Sequence, residues 1–120
     1  MSQLDVMRTR NNHARLVRHP NACGSHRNCV RISAANSLTH ETAKLALVHM
    51  LIKDGHEVLT EAIFCTGGRA DVLDLDTGDV YEIVASETEE QLVRKCASYP
   101  HGLRVIMVKA ETGESRMVRG

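Results

Sequence analysis

The tetrapeptide Asp76-Thr77-Gly78-Asp79 constrains this chain more than any other feature. Set between two alternating apolar runs, it is a strong hairpin signal. It joins a strand expected over residues 70–75 to another over 80–85, as antiparallel neighbours. Side chains alternate across a strand, so Asp71, Leu73 and Leu75 are expected on one face, and Val80, Glu82 and Val84 on one face of the next. Two carboxylates, Asp71 and Glu82, thus fall on adjacent strands. A carboxylate in a sheet interior is costly unless it is paired or holds a cation.

Around this hairpin the remaining elements follow from punctuation and periodicity. Upstream, a helix is expected from near Thr39 to Gly55, capped by Ser37 or Thr39, with Glu41 in its first turn where an acid complements the helix dipole. Its sequence is apolar around most of its circumference, which predicts a largely buried helix with Glu41, Leu45, Val48 and Ile52 on the core-facing stripe. A strand over 57–64 precedes the hairpin. After it, Ser86-Glu87-Thr88-Glu89 reads as a capping box opening a second helix that runs to about Tyr99, before Pro100. The apolar run 103–109 reads as a strand covered on both faces. The order is helix, three strands, helix, strand, which predicts an α/β fold with a mixed four-stranded sheet between helices.

At 120 residues the chain can build one core. Only Phe64, Tyr81 and Tyr99 are aromatic, so that core rests on aliphatic residues. No apolar run approaches the roughly 18–20 residues a membrane span needs, and the charged start lacks a signal-peptide core. A cytoplasmic protein without a membrane partner is expected. Three regions are anticipated: a basic arm over 1–36 with little hydrophobic periodicity, a core over 37–110, and a loose polar tail over 111–120.

The zero net charge conceals an asymmetry. Residues 1–31 hold six arginines (Arg8, Arg10, Arg15, Arg18, Arg27, Arg31) against one acid, Asp5, whereas the remainder holds nine Lys/Arg against fourteen Asp/Glu. A basic arm on an acidic body suits a nucleic-acid partner, and forked arginine donors suit phosphate oxygens. Arg69, close to Asp71, is a further candidate phosphate contact. The same arm carries His19, Cys23, His26 and Cys29 within eleven residues. That is a sufficient ligand set for a structural Zn²⁺, although the spacing is not an established finger pattern. Cys65 and Cys96 lie in apolar sequence and read as buried thiols.

Hard carboxylate oxygens from Asp71 and Glu82 would suit Mg²⁺ or Mn²⁺. Glu41, the run Gly68-Arg69-Ala70-Asp71 and the run Tyr81-Glu82-Ile83-Val84, set on this order of elements, resemble the PD-(D/E)xK, or restriction-endonuclease-like, nuclease superfamily. Archaeal Holliday-junction resolvases are members of it. The resemblance covers roughly residues 38–109. It implies a restriction-endonuclease-like αβββαβ core and a metal-dependent endonuclease acting on DNA, with RNA not excluded. It further implies that Asp71, Glu82 and the Ile83 carbonyl hold the metal with support from Glu41, and that the chain forms a homodimer. Glu61 is an extra acid on the first strand.

One position departs from that pattern. The family lysine would stand where this chain has Val84, and a cation there normally orients the attacking water and offsets charge on the phosphate. Lys44 and Lys95 are the candidate replacements, with Arg69 able to stabilise a phosphate only. Two other readings stay open: a catalytically inactive nucleic-acid-binding module on the same fold, and a zinc-stabilised adaptor whose arm binds a partner protein.

Overall fold

The computed structural model describes residues 2–18 and 26–120. Its elements are α1 (Gln3–Ala14), α2 (Leu38–Lys53), β1 (Val58–Ile63), β2 (Arg69–Asp74), β3 (Val80–Val84), α3 (Glu89–Lys95), β4 (Val105–Lys109) and β5 (Ser115–Arg119). A 3₁₀ turn, Cys96–Ser98, extends α3. The sheet is mixed and has five strands in the order β1-β2-β3-β4-β5, rather than the expected four. Only the β3–β4 contact is parallel, because α3 carries the chain across between them.

Helices cover both faces. Val58 and Val72 pack under Val48 and Leu51 of α2, with Tyr81 beside them. On the opposite face Leu59, Leu73, Leu75, Val80 and Val84 form the larger core with Ala14, Val17, Leu92, Cys96 and Tyr99. No helix among the described residues is long and apolar enough to cross a membrane.

The N-terminal region departs most from expectation. Residues 3–14 are helical, opened by a Ser2 cap on the Asp5 amide. This helix is held by polar contacts that hydrophobic periodicity does not reveal. Arg10 forks onto Asp76 at 2.9 Å and Glu57 at 3.1 Å. His13 Nδ1 meets the Leu75 carbonyl at 2.6 Å, and its ring lies so close over Gly78 that a Cβ there would sit 2.8 Å from Nε2. The hairpin turn therefore needs glycine for contact as well as for its φ of +78°. Arg27 also joins Glu57, at 3.1 Å. Further along, Asn28, Cys29 and Arg31 bond to Val58 and Thr60 and cover the β1 edge.

Four further expectations are corrected. Helix α2 is capped by Ser37 as foreseen, but its buried stripe is Glu41, Lys44, Val48 and Leu51, while Leu45 is 54% and Ile52 37% exposed. The capping box of α3 is formed by Thr88 and Gln91, not Ser86 and Glu89. The tail is not loose: β5 pairs with β4, and Arg119 donates to the Cys96 and Pro100 carbonyls at the end of α3, at 3.0 and 2.8 Å. Cys65 is exposed, and only Cys96 of that pair is buried.

Candidate active site

The site begins with a break in strand alternation. Beyond Leu59 on β1, the residues joining the larger core are Ala62 and Phe64, and on β2 Ala70 joins it together with Leu73. The phase thus slips by one residue at Glu61 and at Asp71, between the paired positions Thr60↔Val72 and Ala62↔Ala70. Glu61 has a φ of +50°, a left-handed conformation that costs a non-glycine residue of order 1–3 kcal/mol. Alternation alone would put Asp71 in line with Leu73 and Leu75. Instead its carboxylate turns towards β3.

There the β2–β3 ladder stops at Val72↔Tyr81. Beyond that point side chains replace backbone bonding. The Ile83 amide donates to Asp71 Oδ2 at 2.8 Å, and the Asp71 amide donates to Glu82 Oε2 at 2.9 Å. The two carboxylates are thereby interlocked at the point where the strands part.

Lys95 and Tyr99 reach Glu82 from α3 and its extension. Lys95 Nζ lies 2.9 Å from Glu82 Oε1, and the Tyr99 hydroxyl donates to the same oxygen at 3.1 Å and to the Arg69 carbonyl at 2.8 Å. Tyr99 fits because Gly68 has no side chain. A Cβ there would lie 2.5 Å from its ring, and the φ of +82° also favours glycine. Burial above all, and then the neighbouring Asp71 charge, push the Glu82 carboxyl up to about 7 against the pull of Lys95. Partial burial works against the Lys95 ammonium, yet Glu82, with Asp71 behind it, raises its pKa above the ordinary lysine value. Val84 sits in the apolar core, so the cation at this acid comes from α3 rather than from β3.

Glu41 and Lys44 form a second cluster, beside the first. Lys44 is fully buried, 2.8 Å from Glu41 and 3.4 Å from Glu61, and donates to the Arg31 carbonyl. It is committed to the interior and does not line the cleft. Burial works to raise the Glu41 carboxyl, but hydrogen bonds from Lys44, Asn36, the Ser33 amide and His40 hold it down at about 2. His40 joins the clusters: its Nδ1 is 2.9 Å from Glu41 Oε1 and its Nε2 is 3.4 Å from Asp71 Oδ2. His40 is not among the site residues expected from the sequence. A histidine beside the helix acid was the available signal.

A cleft lies over Asp71, Ile83 and His40, rimmed by Arg18, Arg69 and Lys95. Of the anticipated phosphate-binding arginines, Arg18 and Arg69 are exposed at this cleft. Arg8, Arg15 and Arg31 are exposed elsewhere, while Arg10 and Arg27 are spent on ion pairs with Glu57 and Asp76. His19 and Cys23 lie outside the described residues, so the anticipated zinc cluster does too; His26 and Cys29 lie within them.

Among the described residues no group of three or more His, Cys, Asp or Glu side chains is arranged to hold a metal ion. The donors at the cleft are nevertheless of a kind a divalent cation takes. Two carboxylates interlock in a buried place, burial and then the charge of Asp71 raise the Glu82 carboxyl to about 7, and Asp71 Oδ1 bears neither of the contacts made by Oδ2. No family model, curated protein or solved structure matches the chain.

Proposed function

We propose that this chain is a metal-dependent nuclease of the PD-(D/E)xK type, hydrolysing phosphodiester bonds in DNA, with Asp71 and Glu82 at its centre. The observation that carries the reading is the interlock of these two acids where β2 and β3 part, beneath a cleft rimmed by three cations. The order α2-β1-β2-β3-α3-β4 is the αβββαβ order of a restriction-endonuclease-like core, with α1 and β5 as additions.

Asp71, Glu82 and the Ile83 carbonyl would hold Mg²⁺ or Mn²⁺. When bound, such a cation polarises a phosphoryl oxygen and lowers the pKa of water. The chain's own groups supply the rest. Lys95 neutralises Glu82 and offers positive charge to the phosphate, in the role of the lysine that Val84 displaces. Arg18 and Arg69 grip flanking phosphates. Glu41 acts through His40 rather than by touching the cation, since its own oxygens are taken by Lys44, Asn36, His40 and the Ser33 amide. One domain of this size offers a small footprint on a duplex, which favours a symmetric homodimer on a branched or long substrate.

The test is cleavage of plasmid, linear and four-way-junction DNA with Mg²⁺, Mn²⁺ or EDTA, comparing wild type with Asp71→Ala. Metal-dependent cutting that vanishes in the variant is expected. Folded wild-type protein that binds DNA but cuts none of the three would establish the inactive binding module instead.

A further inference from the structure

Helix α2 has two sides of different character. Its inner side holds Glu41 and Lys44 in the interior and His40 at the cleft. Its outer side is apolar. Leu38 is 84% exposed, Leu45 54% and Met50 50%, and Ile52 lies along the same exposed arc. A helix of 16 residues is about 24 Å long, and large apolar side chains along its whole outer side mark a contact surface rather than scattered exposure. Between them stand the small residues Thr42 and Ala46, also exposed, over which a second helix can approach closely. Beside this crest runs a groove lined by Ala43, Leu47, Met50, Val108 and the 110–113 loop between β4 and β5. None of its lining residues lines the cleft, so an occupant of the groove leaves Asp71 and His40 accessible.

The charges on this face fit one occupant. His40, in the first turn of α2, and Ile83, near the end of β3, share the cleft, and Lys109 pairs with Val84. The 110–113 loop therefore lies by the N-terminal end of α2. That end presents Glu111, and the other end presents Lys53. Both are exposed, and among the described residues neither has an ion-pair partner, Glu114 being the acid that Lys109 meets. An acid at one end and a base at the other match when the face meets itself with the helices antiparallel, as a twofold axis allows. Lys53 of each copy then reaches Glu111 of the other, and the opposed helix dipoles add to the attraction. Met50, flexible and apolar, enters the groove of the other copy.

We propose that the outer face of α2, with the Glu111 loop, is an interface between two copies of this chain, packed with their α2 helices antiparallel. The inference gives a surface to the homodimer of the proposed function. It rests on the packing and charge of α2 alone, so the nuclease reading stands or falls separately.

The experiment is sedimentation equilibrium on the full chain at up to about 100 µM, a range that resolves micromolar dimers. Wild type is compared with Leu45→Glu, Lys53→Glu, Glu111→Lys and the double swap of Lys53→Glu with Glu111→Lys, and circular dichroism checks that each is folded. Wild type is expected at twice its 13.3 kDa chain mass. Leu45→Glu, at the middle of α2, sets two like charges together and should weaken the dimer at least about 100-fold. Each single charge change should weaken it about 3- to 30-fold, since two exposed pairs are altered, and the double swap should return it to within about threefold of wild type. A monomeric wild type, which would leave the groove to a different partner, overturns the interface. So does a dimer that Leu45→Glu leaves intact, or a double swap no tighter than the single changes. The charge variants decide the question if Leu45→Glu does not fold. A wild-type dimer that cuts no DNA keeps the interface and overturns the nuclease; a monomer that cuts does the reverse.

Discussion

Glu82 carries the sharpest consequence at the scale of single residues. Its carboxyl is raised from an ordinary 4.5 to about 7 in the fold. A folded-state value above the unfolded one means that the native state binds the proton more tightly. The resulting stabilisation is complete below pH about 4.5 and is lost as pH rises towards 7. Melting of the metal-free protein should therefore decline across that window, and Glu82→Gln, which mimics the protonated acid, should flatten the decline. His56, raised by its 2.7 Å contact with Asp74, adds a residual slope of the same sign at higher pH. Glu41, held at about 2, acts oppositely: its contribution is present above pH about 4.5 and is lost as pH falls towards 2. Tyr99 and Gly68 give a paired test of packing at the site. Tyr99→Phe removes the hydroxyl shared by the Arg69 carbonyl and Glu82 Oε1, leaving Glu82 to Lys95 and the Asp71 amide, and should cost about 1–3 kcal/mol in denaturant melts. Gly68→Ala forces a Cβ into the Tyr99 ring at a positive φ, and should cost about 2–4 kcal/mol. These residues were only partly legible in the sequence. Asp71 and Glu82 stood out as strand acids, but the slip of phase at Glu61 that turns Asp71 towards β3 leaves no trace in an apolar–polar pattern.

At the scale of elements, α2 through β4 could be read from the chain because hairpin, capping and apolar-run signals are local. What escaped was set by distant partners. Helix α1 has a polar sequence and docks by Arg10 and His13 on groups more than forty residues away, so no periodicity announces it. Helix α2 inverts its expected stripe because Glu41 and Lys44 satisfy each other in the interior, while Leu38 and Leu45 stay outside. Strand β5 depends on Arg119 reaching the carbonyls that end α3. Arginines that looked alike therefore separate into two groups. Arg10→Ala should lower the melting temperature and the hydrogen-exchange protection of α1 while leaving the salt dependence of DNA binding unchanged. Arg18→Ala and Arg69→Ala should instead leave folding unchanged, and each should reduce the slope of log affinity against log salt by about one.

At the scale of the whole molecule, zero net charge is resolved by placement. Part of the basic N-terminal excess is neutralised on the body by Glu57 and Asp76, and what is left exposed includes Arg18, which sits with Arg69 and Lys95 around the two central acids. Positive rim and negative floor are the arrangement in which a phosphate and a divalent cation would be held together. The measurement closest to that claim is a calorimetric titration of Mn²⁺ into wild type and Asp71→Asn near pH 6, repeated in buffers of different ionisation enthalpy. We expect binding at one site, with release of a proton as the cation displaces it from Glu82, and loss of that binding in Asp71→Asn. Absence of Mn²⁺ binding, or binding that Asp71→Asn leaves intact, would contradict a metal centre at Asp71 and Glu82.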